Sequence, residues 1–144
     1  MNIGTAKELA TKFHEGQTRW DGEPYINHPD RIAQEVKSYL FHRTNNLNLV
    51  DCTVVAWLHD TVEDTDLTFD YLLNETDIQD WQFKALVAIT HRKNESYVNY
   101  IQRVATNKIA TLVKKFDLKD NLIDLKEGQR KDKYELAHLF LDRI

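Results

Sequence analysis

The chain contains one cysteine, Cys52. It therefore has no internal disulfide framework, and this usage points to a reducing, cytoplasmic setting. Cys52 lies among apolar residues and reads as a small core side chain. Two prolines and four glycines are all that punctuate 144 residues, so long helices are permitted. No apolar run approaches the ~20 residues of a membrane span. The start, Met1-Asn2-Ile3-Gly4, lacks the apolar centre of a secretion signal. Positive charge is not in excess: the net charge is -4, which argues against a general nucleic-acid or anionic-membrane binder while allowing a local basic pocket. Internal repeats, low-complexity stretches and useful runs of period two are also missing.

What remains is a chain with 42% hydrophobic residues, enough for one packed core and one domain over residues 1–144. The apolar residues recur at helical spacing. Thr5-Ala6-Lys7-Glu8 has the form of a capping box and starts a first helix closed by Gly16. A second helix runs from about Pro29 to Phe41, with Arg31 and Glu35 as an i, i+4 surface pair. A third, from about Leu49 to Asp60, is apolar on most sides and so belongs at the centre. Shorter helices follow near Thr68 and from Trp81 to Thr90, then one from Ser96 to Ala105. Tyrosines on that last helix suit either the core or the face of a homo-oligomer. Long helices from Asn107 to Leu125 and from Lys131 to Ile144 complete the pattern. The expectation is an all-α, single-domain bundle of about seven or eight helices.

One run stands out. His59-Asp60-Thr61-Val62-Glu63-Asp64-Thr65 places an imidazole and three carboxylates directly after Val54-Val55-Ala56-Trp57-Leu58. Unpaired charge beside a buried helix is costly. The run alone fits a helix C-terminus with His59 on its negative end and a solvated acidic loop. It fits equally a metal site flanked by catalytic carboxylates. Two other stretches bear on the choice. Gln17 to Pro29 is a polar loop anchored by Trp20, Tyr25 and Ile26, which ends with His28 in front of a helix-starting proline. In the late helix, the face formed by Ile109, Leu112, Val113 and Phe116 gives way to Asp117, Asp120, Asn121 and Asp124. Those acids are either solvated or, for Asp117 with Asn121 one turn later, aimed into a cavity.

His28, His59, Asp60 and Asp117 together would offer two nitrogens and two carboxylate oxygens. That donor set suits Mn²⁺, Fe²⁺, Co²⁺ or Zn²⁺ better than Mg²⁺ or Ca²⁺, and the lack of a cysteine cluster speaks against structural zinc. Glu63 and Asp64 are better placed to orient or deprotonate the attacking water.

The order H…HD…D resembles the HD-domain metal-dependent phosphohydrolases. GQTRWDGEPYINHP, AWLHDTVEDT and VKKFDLKDNLIDL are similar to the hydrolase motifs of the RelA/SpoT-type alarmone hydrolases and their small stand-alone members, in order from about Phe13 to Leu125. The resemblance implies an HD-type helical bundle holding one Mn²⁺ on His28, His59, Asp60 and Asp117, with Glu63 and Asp64 as catalytic acids. It places Arg19, Tyr25 and Asn121 on the substrate, and Trp20 beside them. It implies removal of pyrophosphate from the 3′ position of ppGpp or pppGpp, a small-molecule nucleotide partner rather than nucleic acid or membrane, and work in the cytoplasm. Some stand-alone relatives also act on the phosphate of NADPH.

The chain also departs from the pattern. Trp20 stands where the long enzymes carry lysine, Asp21 where a small hydroxyl residue is common, and Lys115-Phe116 where a small apolar pair precedes the metal aspartate. Asp124 adds negative charge at the pocket rim, to be offset by Arg19, Arg92, Lys93 or Lys114. The alternatives are an HD-type phosphatase acting on NADPH or another nucleotide, a non-catalytic nucleotide-binding HD protein, and a helical interaction module whose acids are solvated.

Overall fold

A computed structural model describes residues 1–44, 46–125 and 127–144, with only the backbone of Asp124. The rim charge expected of Asp124 thus lies outside the described side chains. Among the described residues the regular elements are all helices, apart from an isolated antiparallel bridge between Thr18 and Pro24. The helices are α1 (Ile3–Phe13), α2 (Asn27–Phe41), α3 (Leu49–Leu58), α4 (Thr61–Asp64), α5 (Phe69–Glu75), α6 (Asp80–Ile89), α7 (Tyr97–Ala105), α8 (Lys108–Asp124) and α9 (Gln129–Asp142). Eight are of ordinary length and α4 is a single turn, which matches the expected all-α bundle.

Five helices begin on a side-chain cap. Asn2, Asn48, Thr68, Ser96 and Asn107 each accept the backbone N–H three residues on, which satisfies a donor that the helix itself leaves free. The first of these corrects the sequence reading: Asn2, not the Thr5 box, starts α1, and the Thr5 N–H is the group it receives. A serine-like cap motif inside the first turn is easily mistaken for the cap itself.

α3 is the axis of the fold. Every residue from Cys52 to Leu58 is buried, and α1, α2, α6 and α8 pack around it. An all-round apolar helix can only sit in such a place. Its end is fixed locally. The Thr61 hydroxyl donates to the Leu58 carbonyl at 2.7 Å and the His59 Nδ1–H donates to the Ala56 carbonyl at 2.7 Å. These bonds use carbonyls that a helix terminus leaves unpaired, and they turn the chain into α4 with His59 enclosed.

The loop before α2 folds back on itself. Arg19 N–H donates to Glu23 O at 2.8 Å and Tyr25 N–H to Gln17 O at 2.9 Å. Gly22 takes the left-handed conformation, φ 87°, that the reversal demands. Arg19 and Tyr25 turn inward, and Trp20 stays 73% exposed at the tip. The tyrosines of α7 do not form an outer face. Tyr100 is buried and donates to the Ile89 carbonyl, and Tyr97 packs against Tyr100 and Tyr134. The apolar residue that α7 presents outward is Val98. No helix among the described residues is long and apolar enough to cross a membrane.

Candidate active site

Three elements converge beside the end of α3. α2 brings His28 in its first turn, the α3–α4 junction brings His59 and Asp60, and α8 brings Asp117. One donor atom from each of these four lies within 4.8 Å of all the others. His28 Nε2 is 2.9 Å from Asp117 Oδ1 and 3.4 Å from Asp60 Oδ2; His59 Nε2 is 2.9 Å from Asp60 Oδ2 and 3.4 Å from Asp117 Oδ1. Donors bound to a cation at ~2.1 Å stand ~3.0 Å apart along an octahedral edge and ~3.4 Å along a tetrahedral one. The spacing therefore fits a small divalent ion.

The imidazoles are oriented for that ion. A carbonyl can only accept, so the Ala56 bond fixes the proton of His59 on Nδ1 and turns Nε2 toward the carboxylates. That Nε2 is fully enclosed and makes no aligned hydrogen bond. His28 is held the same way, its Nδ1–H donating to Asp120 Oδ2 at 2.6 Å. Burial opposes charge on His28, but Asp117, Asp120 and Asp60 outweigh it and hold the ring up at about 10. His59 is likewise raised against its burial, by Asp60 and Asp117. Asp60 and Asp117 are lowered despite burial, Asp60 chiefly by His59 and Asp117 chiefly by Lys114. A cluster that draws protons onto both rings is one that a metal cation can hold by displacing them.

Around these donors runs a supporting layer. Asp120 accepts from His28 and from both Nε and Nη2 of Arg31, at 2.8 and 3.0 Å. Burial opposes the charge on Asp120, but the bonds from His28 and Arg31 keep its carboxyl well below the usual range. Arg31 also donates to Glu23, so it is not the surface partner of Glu35 that its spacing suggested. The sequence reading paired Arg31 with Glu35, left Asp120 among the solvated acids, and placed neither at the site. A signal existed: His28 and Arg31 are three apart, as are Asp117 and Asp120, so each pair shares a helix face. Lys114 donates to Asp117 Oδ2 at 2.7 Å and is 11% exposed. Burial works against its charge, and Asp117 outweighs that and raises it well above the ordinary value.

A cavity of about 370 Å³ opens onto the cluster, lined among others by Arg19, Trp20, Tyr25, Asp60, Glu63, Asp64, Lys114, Asp117, Asn121 and Tyr134. Both acids after the HD pair line it. Glu63 accepts the backbone N–H of His91. Asp64 faces the Tyr25 hydroxyl at 3.2 Å, and that hydroxyl also donates to Asp60 Oδ2 at 2.7 Å. Burial is the main reason that both acids are raised above their ordinary values. Tyr25 is fixed by stacking on buried His14, ring centroids 4.8 Å apart. Asn121 is engaged at both ends, its Oδ1 accepting from Arg19 Nη2 at 3.0 Å and its Nδ2 donating to Asp117 Oδ1 at 2.9 Å. Tyr25 and Asn121, expected on a substrate, thus also brace the donor cluster. Of the cations expected to offset negative charge, Arg19 and Lys114 line this cavity. Arg92 and Lys93 line a neighbouring hollow that shares Glu63.

The overall architecture is that of a known structure. The chain superposes on one described as a metazoan ortholog of SpoT that hydrolyzes ppGpp, with a TM-score of 0.67 over 98% of this chain and 82% of the other, at 22% identity. At that identity the likeness is one of fold. Within that fold, the chain resembles RelA/SpoT-type hydrolases in sequence as well. It is 42% identical over 69 residues to the human guanosine-3′,5′-bis(diphosphate) 3′-pyrophosphohydrolase MESH1, covering 45% of this chain and 35% of that protein. It is 38% identical over 68 residues to a guanosine-3′,5′-bis(diphosphate) 3′-pyrophosphohydrolase of Haemophilus influenzae, covering 46% of this chain and 9% of that one. The match thus spans about a third of the human relative and about a tenth of the bacterial one. No protein-family model matches the chain.

Proposed function

We propose that the chain is a metal-dependent phosphohydrolase that removes pyrophosphate from the 3′ position of ppGpp or pppGpp in the cytoplasm. The observation that carries this is the convergence of His28, His59, Asp60 and Asp117 in a cavity that Glu63 and Asp64 also line. The similarity to named ppGpp hydrolases supplies the substrate.

His28 and His59 through Nε2, and Asp60 and Asp117 through one oxygen each, would hold the ion, which we take to be Mn²⁺. Bound there, it supplies Lewis acidity that polarises a phosphoryl oxygen and acidifies water. The chain does the rest. Glu63, steadied by the His91 N–H, and Asp64, steadied by Tyr25, orient the attacking water and take its proton. The water oxygen bonds to the inner phosphorus of the 3′-diphosphate and the P–O3′ bond breaks. The departing 3′ oxygen takes up a proton, leaving GDP and pyrophosphate from ppGpp. Raised basicity suits Glu63 and Asp64 to this task, since a base close to the working pH transfers protons best.

Arg19, Trp20, Tyr25 and Asn121 form the wall available to the nucleoside. Trp20, exposed at the loop tip, can stack on any flat ring, so the test must include a second nucleotide. Purified protein with Mn²⁺, and separately with chelator, is given ppGpp and NADPH and the products identified. Metal-dependent pyrophosphate from ppGpp is expected. Phosphate from NADPH alone would move the assignment to an HD-type nucleotide phosphatase, and no turnover of either would remove both substrates.

A further inference from the structure

Among the described residues four carboxylates line the cavity, Asp60, Glu63, Asp64 and Asp117, against two cations, Arg19 and Lys114. A polyphosphate has to enter that field. Arg19 gives Nη2 to Asn121 at 3.0 Å, and its enclosed Nη1, without a hydrogen bond, lies 3.7 Å from Asp120 Oδ2. Lys114 stands on α8 one turn before Asp117, lines the same cavity as Glu63 and Asp60, and acts on the Glu63 charge. Its ammonium carries three N–H groups in a tetrahedral array. Asp117 Oδ2 takes one at 2.7 Å, and the ring of Tyr100, with its centroid 5.2 Å away, faces the same ammonium. At least one N–H is left for the cavity.

Pairing with Asp117 alone does not account for this placement. Asp117 already meets two imidazoles and the Asn121 amide. A further enclosed cation weakens that carboxylate as a ligand and repels any metal ion beside it. The cost is recovered when an anion arrives, because a preset charge in a water-poor cavity stabilises negative charge without reorganising.

We propose that Lys114 is a catalytic residue that binds the phosphoryl oxygens of the diphosphate being cleaved, from the cavity wall between Asp117 and Glu63. This rests on the hydrolase reading above. Its test therefore uses inorganic pyrophosphate as a probe, which needs no turnover.

Wild type, Lys114→Met and Lys114→Arg are loaded with Mn²⁺. Calorimetry measures their affinity for Mn²⁺ and then for pyrophosphate, and kcat and KM are measured with ppGpp. Lys114→Met should bind Mn²⁺ at least as well as wild type, lose pyrophosphate affinity by ~10-fold or more, and lose kcat by ~10²-fold. Lys114→Arg should recover part of both. Unchanged pyrophosphate affinity in Lys114→Met, with only Mn²⁺ affinity altered, would reduce Lys114 to a partner of Asp117 and overturn the proposal. So would a wild type that binds no pyrophosphate. Lysine-dependent pyrophosphate binding without ppGpp hydrolysis would keep the Lys114 site and discard the substrate. Should Lys114→Met fail to fold, Lys114→Gln, which still donates to Asp117, makes the same comparison.

Discussion

Asp120 stands behind His28, a proposed metal ligand, so the metal affinity of the proposed site should depend on it. It receives the Nδ1–H of His28 at 2.6 Å and two donors of Arg31, and it is 5% exposed. A carboxylate behind a ligating imidazole fixes its tautomer and raises its basicity, and losing such a partner weakens metal binding ~10- to 100-fold. That corresponds to ~1.4–2.7 kcal/mol. Asp120→Asn keeps an acceptor for His28 and removes the charge. It should bind Mn²⁺ ~10- to 100-fold more weakly while remaining folded. Asp120→Ala removes the acceptor as well and leaves a guanidinium and an imidazole N–H without their carboxylate. It should also lose ~3–5 kcal/mol of stability. Titration calorimetry with Mn²⁺ and urea unfolding of the metal-free proteins separate the two effects. An Asp120→Asn protein that binds Mn²⁺ as tightly as wild type would refute the reasoning, because His28 would then not depend on the carboxylate behind it.

Other substitutions probe neighbouring parts. Glu63→Gln should cut turnover by ~10²-fold or more and leave Mn²⁺ binding intact; turnover close to wild type would remove Glu63 from the chemistry. Tyr25→Phe loses the hydroxyl that braces Asp60 and Asp64, and should lower kcat ~10-fold, equivalent to one hydrogen bond of ~1.4 kcal/mol, with kcat at the wild-type level as the contrary result. Arg103 donates to the Val87, Ala88 and Thr90 carbonyls and to Glu95, so it closes the end of α6 and holds the turn whose His91 N–H meets Glu63. Arg103→Met should destabilise by ~3 kcal/mol in urea unfolding. The Arg103 hydrogen bond holds Glu95 down at about 2, below its ordinary value of 4.5. A lowered folded value stabilises above the ordinary one and loses that stabilisation as pH falls toward the folded one. The stability gap between wild type and Glu95→Gln should therefore narrow between pH 4.5 and pH 2, and a constant gap would count against the pair.

The helices were legible because their apolar stripes are long and their caps local. α3 declared itself by being apolar on every side, and the loop before α2 by its anchors. The meeting of His28, His59, Asp60 and Asp117 was anticipated from the H…HD…D order through its resemblance to the HD-domain phosphohydrolases, since their positions alone left a solvated reading open. What a single helix cannot reveal is what faces it. Arg31 has Glu35 one turn away in sequence, yet Asp120 and Glu23 are the carboxylates it reaches, because α2 and α8 pack side by side. Asp120 looked like a solvated acid at the frayed end of an apolar face for the same reason. The tyrosines of α7 were ambiguous between core and surface until α9 was seen to cover Tyr97. Tyr25 and Asn121 each carry two kinds of contact, and spacing in sequence has no way to register the second.

The measurement closest to the central claim is pyrophosphate release from ppGpp by the chelator-treated protein, before and after Mn²⁺ is restored, with Asp117→Ala alongside. No release is expected without metal, with recovery of GDP and pyrophosphate once it is restored and no recovery in the variant. Release that survives chelation, or that persists in Asp117→Ala, would contradict that claim.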